Sequence, residues 1–171
     1  MNEEKLLLVN APNLKLYNID FRKYEKLYNY KLFIENEANA AAYAETFLNP
    51  DKVRKNLVFV SITEGIGAGI MINDNLYKGN NKHAGEFGHM TIVKDGELCN
   101  CGKKGCWELY ASEKALISKY NEEFNVEDKN LKEFFRLTKT DGKAKEILYN
   151  YIDYLAEGIK NIILITEDRK S

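Results

Sequence analysis

No apolar run in this sequence approaches the roughly 20 residues that a membrane span requires, so a helical membrane protein is not expected. The opening MNEEKLLLVNAP also lacks the basic-then-apolar layout of a secretory leader. Both absences point to a cytoplasmic protein without a membrane partner. Proline occurs only at Pro12 and Pro50, both read as loop positions. No Pro/Ser-rich linker, repeat or low-complexity tract interrupts the 171 residues, so residues 1–171 are read as one domain. Basic excess is missing as well: 25 Lys and Arg stand against 26 Asp and Glu, a net charge of −1, whereas nucleic-acid binders usually carry a basic face. Three cysteines cannot all pair within one chain, which argues against a disulfide framework.

Glycine is absent from the first 64 residues, and nine of the eleven glycines fall between Gly65 and Gly105. The middle is therefore read as turn-rich and the flanks as regular. Residues 31–35 (KLFIE) form a short apolar run predicted as a buried strand, with Asn36 as N-cap of a helix over 37–48. Residues 56–63 and 68–73 are apolar and β-branched, predicting an antiparallel hairpin joined by Glu64-Gly65-Ile66-Gly67, with a second turn at Asn73-Asp74-Asn75. Helices are predicted over 107–120, over 128–137 with Asp128 as N-cap, and over 143–165. In the last, Leu148, Ile152, Leu155, Ile159 and Ile162 line one face, read as core with a homodimer interface as the alternative. Strands early and helices late make the chain α/β.

Cys99-Asn100-Cys101-Gly102-Lys103-Lys104-Gly105-Cys106 gathers every cysteine within eight residues, and His89 lies ten residues before the first. Cys₃His is a standard tetrahedral set for structural zinc, and Gly102 and Gly105 permit the turns that bring three thiolates around one ion. The competing reading makes each cysteine a small buried apolar side chain and His89 unrelated. A redox pair is disfavoured because Cys-x-Cys lacks the two-residue spacer of thioredoxin-type motifs.

Four stretches occur in order: Ile34-Glu35-Asn36-Glu37-Ala38-Asn39-Ala40-Ala41-Ala42, Thr63-Glu64-Gly65-Ile66-Gly67-Ala68-Gly69, Ala84-Gly85-Glu86-Phe87-Gly88-His89-Met90, and the cysteine segment continued by Trp107-Glu108. Together they resemble the ROK family of repressors and sugar kinases, closely over 12–112, with central motifs in 31–112 and a helical remainder in 113–171. The Pro12-Asn13-Leu14 opening resembles the xylose-repressor subgroup. The resemblance implies an actin/hexokinase-like (ribonuclease H-like) fold with a zinc-bound loop held by His89, Cys99, Cys101 and Cys106. It further implies a monosaccharide contacted by Asn36, Glu37, Glu86, His89 and Glu108, with Glu37 where the kinases place a catalytic Asp. Thr63, Gly65, Gly67 and Gly69 resemble a phosphate hairpin, so ATP is expected only in a complete kinase-type parent. The family's first phosphate motif, Asp-x-Gly-x-Thr, is missing.

Without the resemblance, Glu37 reads as a first-turn acid favoured by the helix dipole, Glu86 and Glu108 as exposed charges, and the glycines as an ordinary β-turn. With it, the expected function is the sugar-sensing portion of a repressor, reaching DNA only through a domain preceding Met1. The alternative is the central portion of an ATP-dependent sugar kinase.

Overall fold

The computed structural model describes residues 5–11, 15–48 and 55–166; Pro12-Asn13-Leu14 and Pro50 lie outside them. Strands β1 (Leu7–Ala11) and β2 (Leu16–Asp20) form an antiparallel pair with Leu8 opposite Ile19 and Asn10 opposite Tyr17. Neither strand is among those predicted from the sequence. Asp20 accepts from the Arg22 backbone amide at 2.9 Å and leads into helix α1 (Arg22–Tyr28), which ends at Asn29 in the left-handed conformation.

The strand predicted over 31–35 does not form. Residues 30–36 join no ladder, Phe33 is 80% exposed, and the Leu32 amide donates to the Glu25 carboxylate at 2.9 Å instead of to a neighbouring strand. The apolar run was too short to separate a strand from an irregular segment. Helix α2 (Glu37–Leu48) begins as predicted: Asn36 Oδ1 accepts from the Asn39 amide at 2.8 Å and satisfies a donor that the helix cannot.

Strands β3 (Leu57–Ile62) and β4 (Ile66–Ile72) form the predicted hairpin, from Leu57 opposite Met71 to Ile62 opposite Ile66. Ile66 and Gly67 belong to β4, so the connection shortens to Thr63-Glu64-Gly65. The turn at Asn73 and Asp74, both left-handed, reverses the chain into β5 (Asn75–Leu76), as predicted. Helix α2 lies across β4 with Ala38 and Ala42 buried. A β-carbon on Gly67 would stand 3.2 Å from Ala38 Cβ, and one on Gly69 would stand 2.7 Å from Ala42 Cβ. Close helix-on-sheet packing therefore accounts for both glycines without a ligand.

All described strand pairs are antiparallel, giving a two-stranded and a three-stranded sheet in a mixed helix-and-sheet fold. The helix predicted over 107–120 is broken. Helix α3 (Glu108–Ala111) stops at Ser112, whose extended backbone and side chain, accepting from the Ala115 amide at 3.1 Å, cap α4 (Glu113–Phe124). Helix α5 (Lys132–Leu137) starts four residues later than predicted, because Asp128 Oδ1 accepts from the Lys129 amide rather than capping the helix.

Helix α6 (Gly142–Thr166) buries Ala144, Ile147, Gly158 and Ile162. Of the predicted stripe, Leu148 and Leu155 pack against the core and Ile162 is buried, while Ile152 and Ile159 stand 45% and 40% exposed. Two clusters result: Leu116, Tyr120, Phe134, Ala144 and Ile147 in one; Ile66, Trp107, Ala111 and Ile162 in the other. Trp107 is fully buried and donates through Nε1 to the Tyr154 carbonyl at 2.8 Å. Burying such a side chain removes some 150–250 Å² from water, roughly 4–6 kcal/mol of gross transfer free energy.

Helix α6 passes over this indole at Gly158, where a β-carbon would stand 1.9 Å from Trp107 Cε2. Gly158→Ala is therefore expected to destabilise the fold despite alanine's better helix propensity. Overpacking should cost about 1–3 kcal/mol, at roughly 2–4 °C of Tm per kcal/mol. Thermal melting checks it, and an unchanged or raised Tm would contradict this packing.

Candidate functional site

The cysteine segment is shaped by its own backbone. Short antiparallel bridges pair Thr91 with Cys106 and Leu98 with Lys104. The Cys99 amide donates to the Lys103 carbonyl at 2.8 Å, and Gly102 and Gly105 take the left-handed conformations expected of them. His89, from a short 3-10 helix at Phe87–His89, completes the group. One donor atom from each of His89, Cys99, Cys101 and Cys106 lies within 4.8 Å of the others. Cys101 Sγ and Cys106 Sγ are 3.6 Å apart, and Cys99 Sγ lies 3.6 Å from His89 Nδ1. A tetrahedral ion bound at about 2.3 Å from sulfur needs S···S edges of about 3.8 Å, so the donor set fits a metal ion.

Burial pushes the Cys99 thiol up to about 12 and that of Cys106 upward, while the Lys103 backbone amide draws Cys101 below its ordinary value. As a thiol, Cys99 donates to Glu108 Oε1 at 3.3 Å. That carboxylate oxygen also stands 3.4 Å from His89 Nδ1. On the far side of the ring, Nε2 faces Glu86 Oε2 at 3.9 Å. The imidazole thus bridges the sulfur cluster and an outward-facing carboxylate, bringing Glu86, His89 and Glu108 together.

Asn36 and Glu37 occupy the start of α2. Because Asn36 Oδ1 is engaged in the cap, its amide nitrogen is the end turned away from the helix. Glu37 Oε1 accepts from Ser61 Oγ on β3 at 3.2 Å. Both halves of the candidate site are built on β4: α2 lies over Gly67 and Gly69, and Gly88 packs so closely that a β-carbon there would meet the Ile66 carbonyl at 2.1 Å. At the hairpin tip, a β-carbon on Gly65 would stand 2.9 Å from Glu108 Oε2. Glu64, Glu97 and Glu108 line a cleft of about 490 Å³ with Tyr110 and Tyr154.

Residues 1–169 match the ROK family. The chain belongs to that family. It is 42% identical over 158 residues to the xylose repressor of Bacillus subtilis, covering 91% of this chain and 41% of that protein. It is 37% identical over 118 residues to the glucokinase of Streptomyces coelicolor, covering 68% and 37%. Among solved structures, a ROK family glucokinase from Streptomyces griseus in complex with glucose and AMPPNP superposes with a TM-score of 0.76 at 26% identity, covering 95% of this chain and 58% of that one. The chain thus spans about two-fifths of the length of these curated relatives, and its fold is that of the sugar kinase and actin-like neighbours.

Ser61 and Glu64 are the side chains that sequence reasoning on this ROK chain missed. Ser61 lies within a strand that is otherwise apolar, and only the crossing of α2 over β3 reveals its partner. Glu64 sits inside the hairpin motif, whose glycines carry the resemblance.

Because the cluster must bind as thiolates, metal uptake by the metal-free ROK chain is expected to release about three protons per ion near pH 7, with affinity climbing as pH rises. Calorimetry in buffers of different ionisation enthalpy checks this. Uptake without proton release would remove the three cysteines from the ligand set.

Proposed function

We propose that this chain is the sugar-sensing, effector-binding portion of a ROK-type transcriptional repressor, with zinc held by His89 Nδ1, Cys99, Cys101 and Cys106. The observation that carries the reading is the double use of His89, one ring nitrogen against the sulfur cluster and the other toward Glu86. Zinc supplies rigidity: a clamped loop offers Glu86, His89 and Glu108 in fixed positions, as selective recognition of hydroxyl groups requires. Asn36 presents its amide nitrogen as a donor, and the three carboxylates Glu37, Glu86 and Glu108 act as acceptors.

Two observations favour sensing over the alternative, a ROK sugar kinase acting with ATP. Glu37 is one methylene longer than the Asp of the kinases and is bonded to Ser61, and a displacement of about 1 Å can cost on the order of a hundredfold in a positioned proton transfer. Glu64 at the hairpin tip adds a carboxylate to a cleft lined by Glu97, Glu108 and Glu122 against Lys114 and Lys119, so carboxylates outnumber lysines there and disfavour polyphosphate. Identity to xylose repressors over nine-tenths of the chain supports the same choice. DNA is then contacted through a domain other than these 171 residues, and no helix among the described residues is long and apolar enough to cross a membrane.

A monosaccharide panel including xylose and glucose, titrated into the intact protein as its gene encodes it, should give selective binding. Glu86→Ala and Glu108→Ala should each weaken the preferred sugar tenfold or more, about 1.4 kcal/mol per decade, with bound zinc retained. Wild-type affinity in both variants would place the sugar site elsewhere, and sugar-dependent ATP turnover would favour the kinase.

A further inference from the structure

The segment leading into α2 carries Asn36 and directly precedes Glu37 yet joins no sheet, so some other interaction must fix its direction. Glu35 supplies it. Its Oε1 accepts from the Asn36 backbone amide at 3.0 Å and from Asn39 Nδ2 at 3.0 Å, and its Oε2 pairs with Lys78 Nζ. Asn39 is a buried polar residue in an alanine-rich helix, and its side chain is spent on this carboxylate. The Lys78 and Glu35 side chains are only 27% and 22% exposed, so their attraction is screened less than that of a surface pair. Burial works against the charge on Glu35, but the donors from Lys78, Asn39 and Asn36 outweigh it and hold the carboxyl below its usual range.

Lys78 belongs to the loop that follows β5. The Tyr77 amide donates to the Ile70 carbonyl at 2.7 Å, and the Ala84 amide returns to the Lys78 carbonyl at 3.0 Å. That loop runs directly into Gly85 and Glu86 and then His89. The pair, 43 residues apart in sequence, therefore joins the segment bearing Asn36 and Glu37 to the segment bearing Glu86 and His89.

We propose that Lys78 and Glu35 are positioning residues for the ligand site: their ion pair clamps the start of α2 to the Glu86 loop and so sets the spacing of the two sets of sugar-contacting groups. The proposal deepens the sugar-sensing reading and rests on it. Neither residue is among the sugar-contacting groups proposed above; both act through Asn36, Glu37 and Glu86.

The test uses Lys78→Met, Glu35→Gln, the double variant and the conservative Lys78→Arg in the intact protein, beside Glu86→Ala. Sugar affinity is read by calorimetry, and backbone hydrogen exchange is read at residues 36–40 and in α4 and α6. Lys78→Met and Glu35→Gln should each weaken the selected monosaccharide about tenfold, the double variant should be no worse than either alone, and Lys78→Arg should restore affinity to within about threefold. Exchange at residues 36–40 should quicken while α4 and α6 stay unchanged, with zinc content constant.

Wild-type affinity and exchange in Lys78→Met, with binding lost in Glu86→Ala, would overturn the clamp and leave the sugar site standing. Quickened exchange in α4 and α6 as well would overturn it in favour of a general stabilising role. If no monosaccharide binds the wild-type protein, the sugar-sensing reading falls, and the positioning role falls with it even if residues 36–40 loosen.

Discussion

Trp107 stands between the last cysteine of the cluster and Glu108, with no surface exposed, its Nε1 on the Tyr154 carbonyl and helix α6 crossing its ring at Gly158. The cysteine segment, the chain past His89, the start of β4 and helix α6 all meet at this contact. Its backbone amide donates to the Met90 carbonyl at 2.8 Å, tying the chain just past His89 to the chain just past Cys106. Ile66, the first residue of β4, packs in the same cluster, so the hairpin tip is anchored by the same indole. An aromatic of this size, buried and hydrogen-bonded, sets the distance between helix and loop far more firmly than the loop's own short bridges could.

Around that anchor the charged groups divide into two kinds. The paired ones hold the architecture: Lys78 with Glu35 is largely withdrawn from water, and its partners are backbone and amide groups that have few alternatives. The others, Glu64, Glu86 and Glu97, are carboxylates turned toward solvent or cleft. Glu108 belongs to both kinds, since one oxygen meets Cys99 and His89 while the carboxylate also borders the cleft. A metal held at the cluster would need Cys99 as thiolate and would thereby remove the hydrogen bond that its thiol donates to Glu108.

Much of the local structure was legible because it depends on near neighbours. The Asn36 cap, the β3–β4 hairpin, the Asn73-Asp74 turn and the long last helix each follow from residues within a few positions of one another, and all four are present. The errors share a cause. The run 31–35 has strand composition but no partner, the helix over 107–120 hides a capping serine at Ser112, and the stripe on α6 has the right period with two of its five residues turned outward. In each case periodicity reports a tendency, while the neighbour that would use it belongs to another part of the chain.

By itself the sequence determined the four metal-ligand candidates, because three lie within eight residues and Gly102 and Gly105 permit the turns between them, and it determined that Asn36 and Glu37 open a helix. Only the tertiary structure decided that His89 directs one nitrogen to Cys99 and the other to Glu86, that Glu37 is drawn to Ser61, and that Glu35 meets Lys78. The physical reason is range. Caps, turns and clustered ligands are set by bonds that close over a few residues, whereas these contacts depend on how α2 and the Glu86 loop are rotated and seated on β4, which is decided by Ala38 against Gly67 and by Gly88 against Ile66.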